Sequence, residues 1–155
     1  MTIIFGESSS GKSREALDLI KNGKKIVYFS LDLDKSIATK VKDDSRIEFV
    51  SLRYWPIMAD LERELAIQTR FGSNKLTHIV VDPINYIKNG NLSPEKSIAS
   101  IISDLRYIEE VYGAKVIAIF NTLVNIEKTS DRIIECITNS GVKMIETKLR
   151  KKIKV

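Results

Sequence analysis

The sequence predicts an α/β protein, a three-layer sandwich in which helices cover both faces of a mostly parallel central sheet. Short, continuous runs of β-branched residues recur along the chain, and such runs are typical of strands buried on both faces of a parallel sheet. Segments with helical spacing of apolar residues separate these runs. Alternation of this kind implies right-handed βαβ crossovers, with functional groups at the carboxyl ends of the strands.

The predicted strands are short apolar runs that end in small, acidic, glycine or asparagine residues. Runs of this length and composition fit strands rather than helices. They are Ile3–Phe5, Ile26–Phe29, Ile47–Val50, Ile79–Val81 and Val116–Phe120.

Three segments between these runs predict helices. The first runs from about Lys12 to Lys21 and the second from about Ile57 to Phe71. The third has Ser93 as its N-cap, Pro94 in its first turn and Gly113 after its last turn, which are typical start and stop signals. Strand and helix therefore alternate along the chain.

Length and composition favour one globular domain over residues 1–155. The single cysteine, Cys136, excludes an internal disulfide and is expected to be buried. Neither a signal peptide nor an apolar run of the roughly 18 residues needed to cross a bilayer is apparent. We therefore expect a cytoplasmic protein with no membrane partner. Part of the net charge of +5 collects in a basic tail, 148–155, which either meets phosphates or is simply solvated.

The loop 6–13 has the spacing of two glycines, lysine and serine that binds phosphates, and it lies between a predicted strand and a predicted helix. Its glycines allow backbone N–H groups to face an anion, Lys12 reaches the outer phosphates and Ser13 is a ligand for Mg²⁺. We expect ATP and Mg²⁺ as cofactors. The predicted nucleotide-binding residues are Gly6, Glu7, Ser8, Ser9, Ser10, Gly11, Lys12, Ser13 and Arg14.

Polar side chains follow three of the predicted strands. Asp82 is expected to hold Mg²⁺ or the attacking water, and the alternative is a turn aspartate before proline. Asp32 or Asp34 is a candidate to activate the water, or a solvated turn acid. Asn121 and Thr122 either sense the γ-phosphate or merely end a strand.

Two further features have structural interpretations that we favour. His78 has no cysteine or second histidine near it in the sequence, so a metal site there is not expected. The segment Tyr54-Trp55-Pro56 is able to stack a base or a partner's proline, but such residues more often pack against one end of the core.

Together these motifs resemble the RecA-like ATPase core of recombinases, KaiC-like proteins and DnaB-type helicases. The loop 6–13 resembles the Walker A motif, and Ile79–Asp82 resembles the Walker B strand. Tyr28–Asp32 is similar to the segment that carries the catalytic acid in these families. That acid is usually glutamate, so Asp32 places the hydrolysis rate in question.

Two later segments extend the resemblance. Ile117–Thr122 resembles the strand and polar sensor that precede the DNA-contacting loop, although the sensor is usually glutamine. Met144–Arg150 resembles the strand and Lys-x-Arg motif that reaches a neighbouring subunit's nucleotide, which implies that Lys148 and Arg150 act in trans.

The resemblance implies a P-loop NTPase, an ATP hydrolase that acts as an oligomer on single-stranded DNA in recombination, repair or replication. The alternatives are a small-molecule kinase, because Ser10–Arg14 is also similar to cobinamide kinases, and a regulatory subunit with little turnover. Ser13 and Asp82 are the predicted metal ligands. The predicted catalytic residues are Lys12, Asp32, Asp82, Asn121, Thr122, Lys148 and Arg150.

Overall fold

A computed structural model describes residues 1–7, 10–32, 36–70, 75–90, 92–121, 132–138 and 142–148; for 94–95, 137–138 and 142–148 it describes the backbone. Strands and helices alternate along the chain as the apolar runs predicted. The elements are β1 (Thr2–Gly6), α1 (Lys12–Leu19), β2 (Ile26–Ser30), α2 (Ser36–Val41), β3 (Ile47–Ser51), α3 (Met58–Arg70), β4 (His78–Asp82), the 3-10 helix η1 (Ile84–Tyr86), α4 (Pro94–Tyr112), β5 (Lys115–Phe120), β6 (Arg132–Thr138) and β7 (Val142–Lys148).

The strands form one seven-stranded sheet in the order β3-β2-β4-β5-β1-β6-β7. All neighbouring strands are parallel except β6 and β7, which are antiparallel. The prediction of a mostly parallel sheet is therefore confirmed. The central strands β2, β4 and β5 are buried on both faces, and this explains why they read as continuous apolar runs rather than as alternating ones.

Helices cover both faces of the sheet and complete the predicted three layers. Leu61 and Leu65 of α3 pack with α4 residues such as Leu105 in one apolar cluster. Ala16 of α1 and Ile37 of α2 pack in a second cluster. Neighbouring residues of each strand contribute to opposite clusters, because successive side chains of a strand point to opposite faces.

The helix signals in the sequence are confirmed for α4. The Ser93 hydroxyl accepts a hydrogen bond from the Lys96 amide at 3.4 Å, and Gly113 ends the helix in a left-handed conformation with φ 61°. The other two predicted helices are present, with ends that differ from the prediction by one or two residues. The short helix α2 and the strand β6 were not predicted.

The carboxyl ends of four neighbouring strands meet at one edge of the sheet. Phe5 of β1 pairs with Phe120 of β5, and Ser30 of β2 pairs with Asp82 of β4. The segments after β1, β2, β4 and β5 therefore leave the sheet side by side.

A cavity of about 370 Å³ lies at the opposite, amino end, where His78 and Met1 contribute to its lining. Open parallel sheets bind their ligands at the carboxyl ends instead.

Among the residues that the structure describes, no helix combines the length and the apolar character that crossing a membrane requires. Cys136 is buried, as expected.

Candidate nucleotide-binding site

Glycines shape the loop 6–13 at both of its ends. A Cβ at Gly6 would collide with the backbone carbonyl oxygen of Cys136, so only glycine fits this close approach to β6. Gly11 has φ 86° and precedes α1, whose amide N–H groups then point toward the loop. The described backbone therefore has the turn and the helix N-terminus that anion binding requires. Ser8 and Ser9 lie outside the described residues.

Lys12 is buried inside this loop, which is unusual for a lysine. Its side chain is 7% exposed, and its ammonium donates hydrogen bonds to the carbonyl oxygens of Gly6 at 2.8 Å and Glu7 at 2.5 Å. Burial lowers the pKa of Lys12, and the nearby Asp82 carboxylate partly offsets this effect. The ammonium of Lys12 is thus held at the centre of the loop, where a bound anion would favour its charged form.

The hydroxyl of Ser10 is an unusual feature of the same loop. Ser10 is fully buried, and its Oγ has no hydrogen-bond partner within the part of the chain that the structure describes. Buried polar atoms are nearly always paired in folded proteins, so an unpaired one calls for an explanation. A hydroxyl in this position suits an acceptor such as a phosphate oxygen, and the residues present therefore fit a nucleotide.

Asp82 is the centre of a buried hydrogen-bonded group. It is 8% exposed, and its Oδ2 accepts hydrogen bonds from the Ser13 hydroxyl at 2.6 Å and the Tyr28 hydroxyl at 2.5 Å. Burial raises the pKa of the Asp82 carboxyl, and the bonds from Ser13 and Tyr28 oppose that rise. Burial and the same carboxylate raise the pKa of the Tyr28 phenol. Asp82 is therefore a buried, hydrogen-bonded carboxylate rather than a solvent-exposed turn residue.

Tyr28 was not predicted as a site residue. It lies in the middle of β2, two residues before the strand ends, and on the same face of the sheet as Asp82 of the neighbouring strand β4. Its long side chain spans the remaining distance to the carboxylate. The signal that was available is a tyrosine hydroxyl in the middle of an apolar run, at a position that a both-face-buried strand would bury.

Ser13 and Asp82 are suitable ligands for Mg²⁺, because both offer hard oxygen atoms and these atoms already lie 2.6 Å apart. No group of three or more histidine, cysteine or acidic side chains able to hold a metal occurs among the described residues. A metal at this point would take its remaining ligands from phosphates and water, which is the usual arrangement for Mg²⁺. The residues present therefore fit Mg²⁺.

A polar cavity of about 360 Å³ brings most of the predicted site residues together. Asp32 is half-buried at its wall, and the exposed Arg14 lies at its rim. The amide of Asn121 donates a hydrogen bond to the Asn85 side chain at 2.8 Å, which links the end of β5 to η1. The lining residues are Ser10, Gly11, Lys12, Ser13, Arg14, Asp32, Ser36, Ile37, Lys40, Asp82, Tyr86 and Asn121.

Three of the remaining predicted residues, Asp34, Thr122 and Arg150, lie outside the described residues. The backbone of Lys148 is described, and it pairs with Arg132 at the start of β6. Arg132 pairs in turn with Thr2 at the start of β1. The structure therefore places Lys148 at the amino end of the sheet, away from the loop 6–13 of its own chain.

The segment after β3 differs from the favoured interpretation. Tyr54 and Trp55 are 60% and 58% exposed, so the prediction that they pack against the core is wrong. Pro56, which follows the two exposed aromatic residues, is buried instead. The indole of Trp55 contacts the ring of Tyr86 edge to face, with centroids 5.0 Å apart and an interplanar angle of 85°.

No protein-family model and no curated protein matches the chain. Among solved structures, it is similar to a KaiC-like protein from the hyperthermophilic archaeon Pyrococcus horikoshii. The two are 17% identical, the TM-score is 0.64, and the match covers 97% of this chain and 79% of that chain. A likeness at this identity concerns the fold, and it agrees with the sheet order and helical layers described above. The chain therefore has a RecA/KaiC-like α/β fold.

Proposed function

We propose that this chain binds ATP with Mg²⁺ in the polar cavity and hydrolyses the bond to its terminal phosphate. The observation that carries the proposal is the 2.6 Å hydrogen bond between Ser13 and Asp82, with the Lys12 ammonium held in the loop beside them. The loop supplies a hydroxyl and a cation, and β4 supplies a carboxylate. These three groups are the set that holds a nucleotide triphosphate and its metal in P-loop proteins.

Each group has a distinct role in this mechanism. Lys12 and the backbone N–H groups at the start of α1 bind the outer phosphates, and the Ser10 hydroxyl adds a hydrogen bond. Ser13 and Asp82 would hold Mg²⁺, which would neutralise charge on the phosphate oxygens. Asp82 needs no proton transfer for this role, because its carboxylate acts through its oxygens alone.

Asp32 orients the attacking water and accepts its proton as the water oxygen bonds to the γ-phosphorus and the bond from that phosphorus to the β–γ bridging oxygen breaks, which leaves ADP and phosphate. The side chain of aspartate is one methylene shorter than that of the usual glutamate, so the water has to lie closer to the strand end. Asn121, and with it Thr122, is the candidate that senses the terminal phosphate. The bond from the Asn121 amide to Asn85 would transmit such a signal to η1.

We further propose that hydrolysis serves DNA recombination, repair or replication, with the protein assembled as an oligomer on single-stranded DNA. The net charge of +5 supports contact with nucleic-acid phosphates. Because Lys148 lies at the end of the sheet away from its own loop 6–13, Lys148 and Arg150 suit an action on a neighbour's nucleotide. Turnover per subunit should then rise with protein concentration.

The test is ATP turnover by the wild-type protein, Lys12→Ala and a matched control, Lys21→Ala, with and without single-stranded DNA over a range of protein concentrations. Lys21 is an exposed lysine after α1 that pairs with Asp18. Loss of a charge that stabilises the transition state lowers turnover about 100- to 1,000-fold. We expect this loss for Lys12→Ala and none for Lys21→Ala.

Equal turnover by the two lysine variants would contradict the proposed site. Turnover that appears only when a small alcohol or phosphate acceptor is added would identify a kinase instead. Association that requires ATP but proceeds without hydrolysis would identify a regulatory subunit.

A further inference from the structure

A second cavity, of about 260 Å³, adjoins the polar one. It is smaller than the roughly 300–1,000 Å³ of sites that enclose a whole cofactor, and it has room for one planar ring system. Its walls come from the ends of β2 and β3 and from η1. The lining residues are Leu31, Asp32, Arg53, Trp55 and Tyr86.

Two aromatic rings at right angles to each other line this cavity. Trp55 and Tyr86 contact edge to face at a centroid distance of 5.0 Å, and most of the indole remains exposed. Trp55 has φ 54°, a left-handed conformation that is unusual for a bulky side chain. Strained backbone of this kind persists where the surrounding structure holds it, and it is concentrated at binding and active sites. The turn thus presents Trp55 outward instead of burying it.

Positive charge lies beside these rings. Arg53 is exposed, and its Nε donates a hydrogen bond to the Ser51 hydroxyl at 2.9 Å, which orients the guanidinium next to the cavity. Lys88 is exposed, and its amide bonds to the carbonyl oxygen of Pro56 at 2.8 Å, so the chain after η1 lies against the aromatic turn. A ligand that combines a planar ring with a negative charge would therefore meet the aromatic rings and Arg53, with Asp32 on the side shared with the polar cavity.

We propose that this cavity stacks a nucleobase of a single-stranded nucleic acid on the indole of Trp55, beside the perpendicular ring of Tyr86, with Arg53 neutralising the adjacent phosphate. Base stacking on aromatic side chains beside a cationic groove is the general mode of single-strand binding. A peptide partner fits less well, because the cavity has room for one ring and not for a longer segment of chain.

The position of the cavity couples this site to the nucleotide. Asp32 and Tyr86 line both cavities, and η1 also carries Asn85, which bonds to the Asn121 amide. A base stacked on Trp55 and in contact with Tyr86 would therefore lie next to the residues proposed to orient the attacking water and to sense the phosphate. This coupling rests on the proposed function, whereas the stacking itself does not.

Trp55 is the single tryptophan of the chain, so intrinsic tryptophan fluorescence reports on this cavity directly. Titration of the wild-type protein with a short oligo(dT) strand should quench that fluorescence. Thymidine monophosphate and a duplex of the same length should quench it only at much higher concentration. Absence of quenching by oligo(dT) would overturn the proposal, and so would equally tight binding of the mononucleotide.

Variants locate the site, with fluorescence polarisation of a labelled oligo(dT) strand as the readout. We expect Trp55→Ala to weaken binding about 5- to 150-fold and Trp55→Phe to retain most of it. Arg53→Ala should reduce the slope of log affinity against log salt by about 0.7, which is the value for one phosphate of a single strand. Tyr54→Ala is the matched control, because Tyr54 is as exposed as Trp55 but does not line the cavity.

Equal weakening by Tyr54→Ala and Trp55→Ala would overturn the assignment to this cavity. The wild-type quenching requires no variant, so a folding defect in one of them cannot hide a negative result. ATP turnover without nucleic acid is measured in parallel on the wild-type protein. Turnover without quenching would refute this inference alone, whereas quenching without turnover would refute the proposed hydrolysis alone.

Discussion

The carboxyl edge of the sheet carries two clusters that differ in almost every physical respect. The first, formed by Lys12, Ser13, Tyr28 and Asp82, is charged, buried and fixed by side-chain hydrogen bonds of 2.5–2.8 Å. The second, formed by Arg53, Trp55 and Tyr86, is aromatic and largely open to solvent. Small, highly charged ligands require buried and preorganised groups, whereas flat ligands require an accessible surface.

Burial acts on the two charges of the first cluster in opposite directions. It lowers the pKa of Lys12 and raises the pKa of Asp82, so it disfavours the charged form of each. Phosphate groups next to Lys12 and a divalent cation next to Asp82 would reverse both effects. The charged forms of Lys12 and Asp82 are therefore more stable in the protein with bound nucleotide and metal than in the protein alone.

Asp32, which lies between the two clusters, gives the largest expected effect. If it activates the attacking water, Asp32→Ala should lower the turnover number about 100- to 10,000-fold while ATP affinity changes little. Asp32→Glu should retain turnover, because glutamate is the acid that the resembling families use. ATP affinity is measured with a fluorescent ATP analogue and turnover by phosphate release.

Asp43→Ala is the matched control for these variants, since Asp43 is an exposed aspartate after α2. If Asp32→Ala and Asp43→Ala hydrolyse ATP at the same rate, Asp32 is a solvated turn acid and not part of the mechanism.

Tyr28 tests the buried cluster with a smaller change. Tyr28→Phe removes the hydrogen bond to Asp82 but keeps the ring, which stacks on Phe49 at 5.6 Å. Loss of a residue that orients a metal ligand typically lowers metal affinity about 10- to 100-fold. The Mg²⁺ concentration for half-maximal turnover should therefore rise by about that factor. Tyr107→Phe, at an exposed tyrosine of α4, is the control. A lower turnover with an unchanged Mg²⁺ requirement would mean that Tyr28 does not position Asp82.

The same two clusters show what the sequence alone could predict. The glycines, Lys12 and Ser13 act through local backbone geometry, and Asp82 follows an apolar run, so spacing was enough to find them. Tyr28 reaches Asp82 across two strands that are far apart in sequence, and only the register of β2 and β4 brings them together. Trp55 depends on a left-handed turn at a non-glycine residue, which local propensity argues against.

The unpredicted elements have equally physical causes. The helix α2 has only 6 residues, too few for a helical period of apolar residues to be recognised. In β6, Arg132 and Glu135 interrupt the apolar residues because this strand lies near the edge of the sheet, next to β7. Continuous apolar runs are typical of strands that are buried on both faces of a parallel sheet.

The smallest expected effect is on stability, and it has a definite dependence on pH. Burial raises the pKa of Asp82 in the folded protein above its value in the unfolded chain, so folding favours the protonated carboxyl. The stability that the protonated form contributes is present below the unfolded pKa and is lost as the pH rises through the folded pKa. Asp82→Asn, which stays neutral, should therefore melt at a higher temperature than the wild-type protein at neutral pH when Mg²⁺ and nucleotide are absent.

The difference between Asp82→Asn and the wild-type protein should shrink as the pH falls toward the ordinary carboxyl range, and calorimetry at several pH values measures it. A chain of this size gains roughly 2–4 °C in melting temperature for each kcal/mol of stability. Asp43→Asn removes an exposed charge instead and should show no such dependence on pH. A lower melting temperature for Asp82→Asn at every pH would mean that the bonds from Ser13 and Tyr28 outweigh the cost of burying the carboxylate.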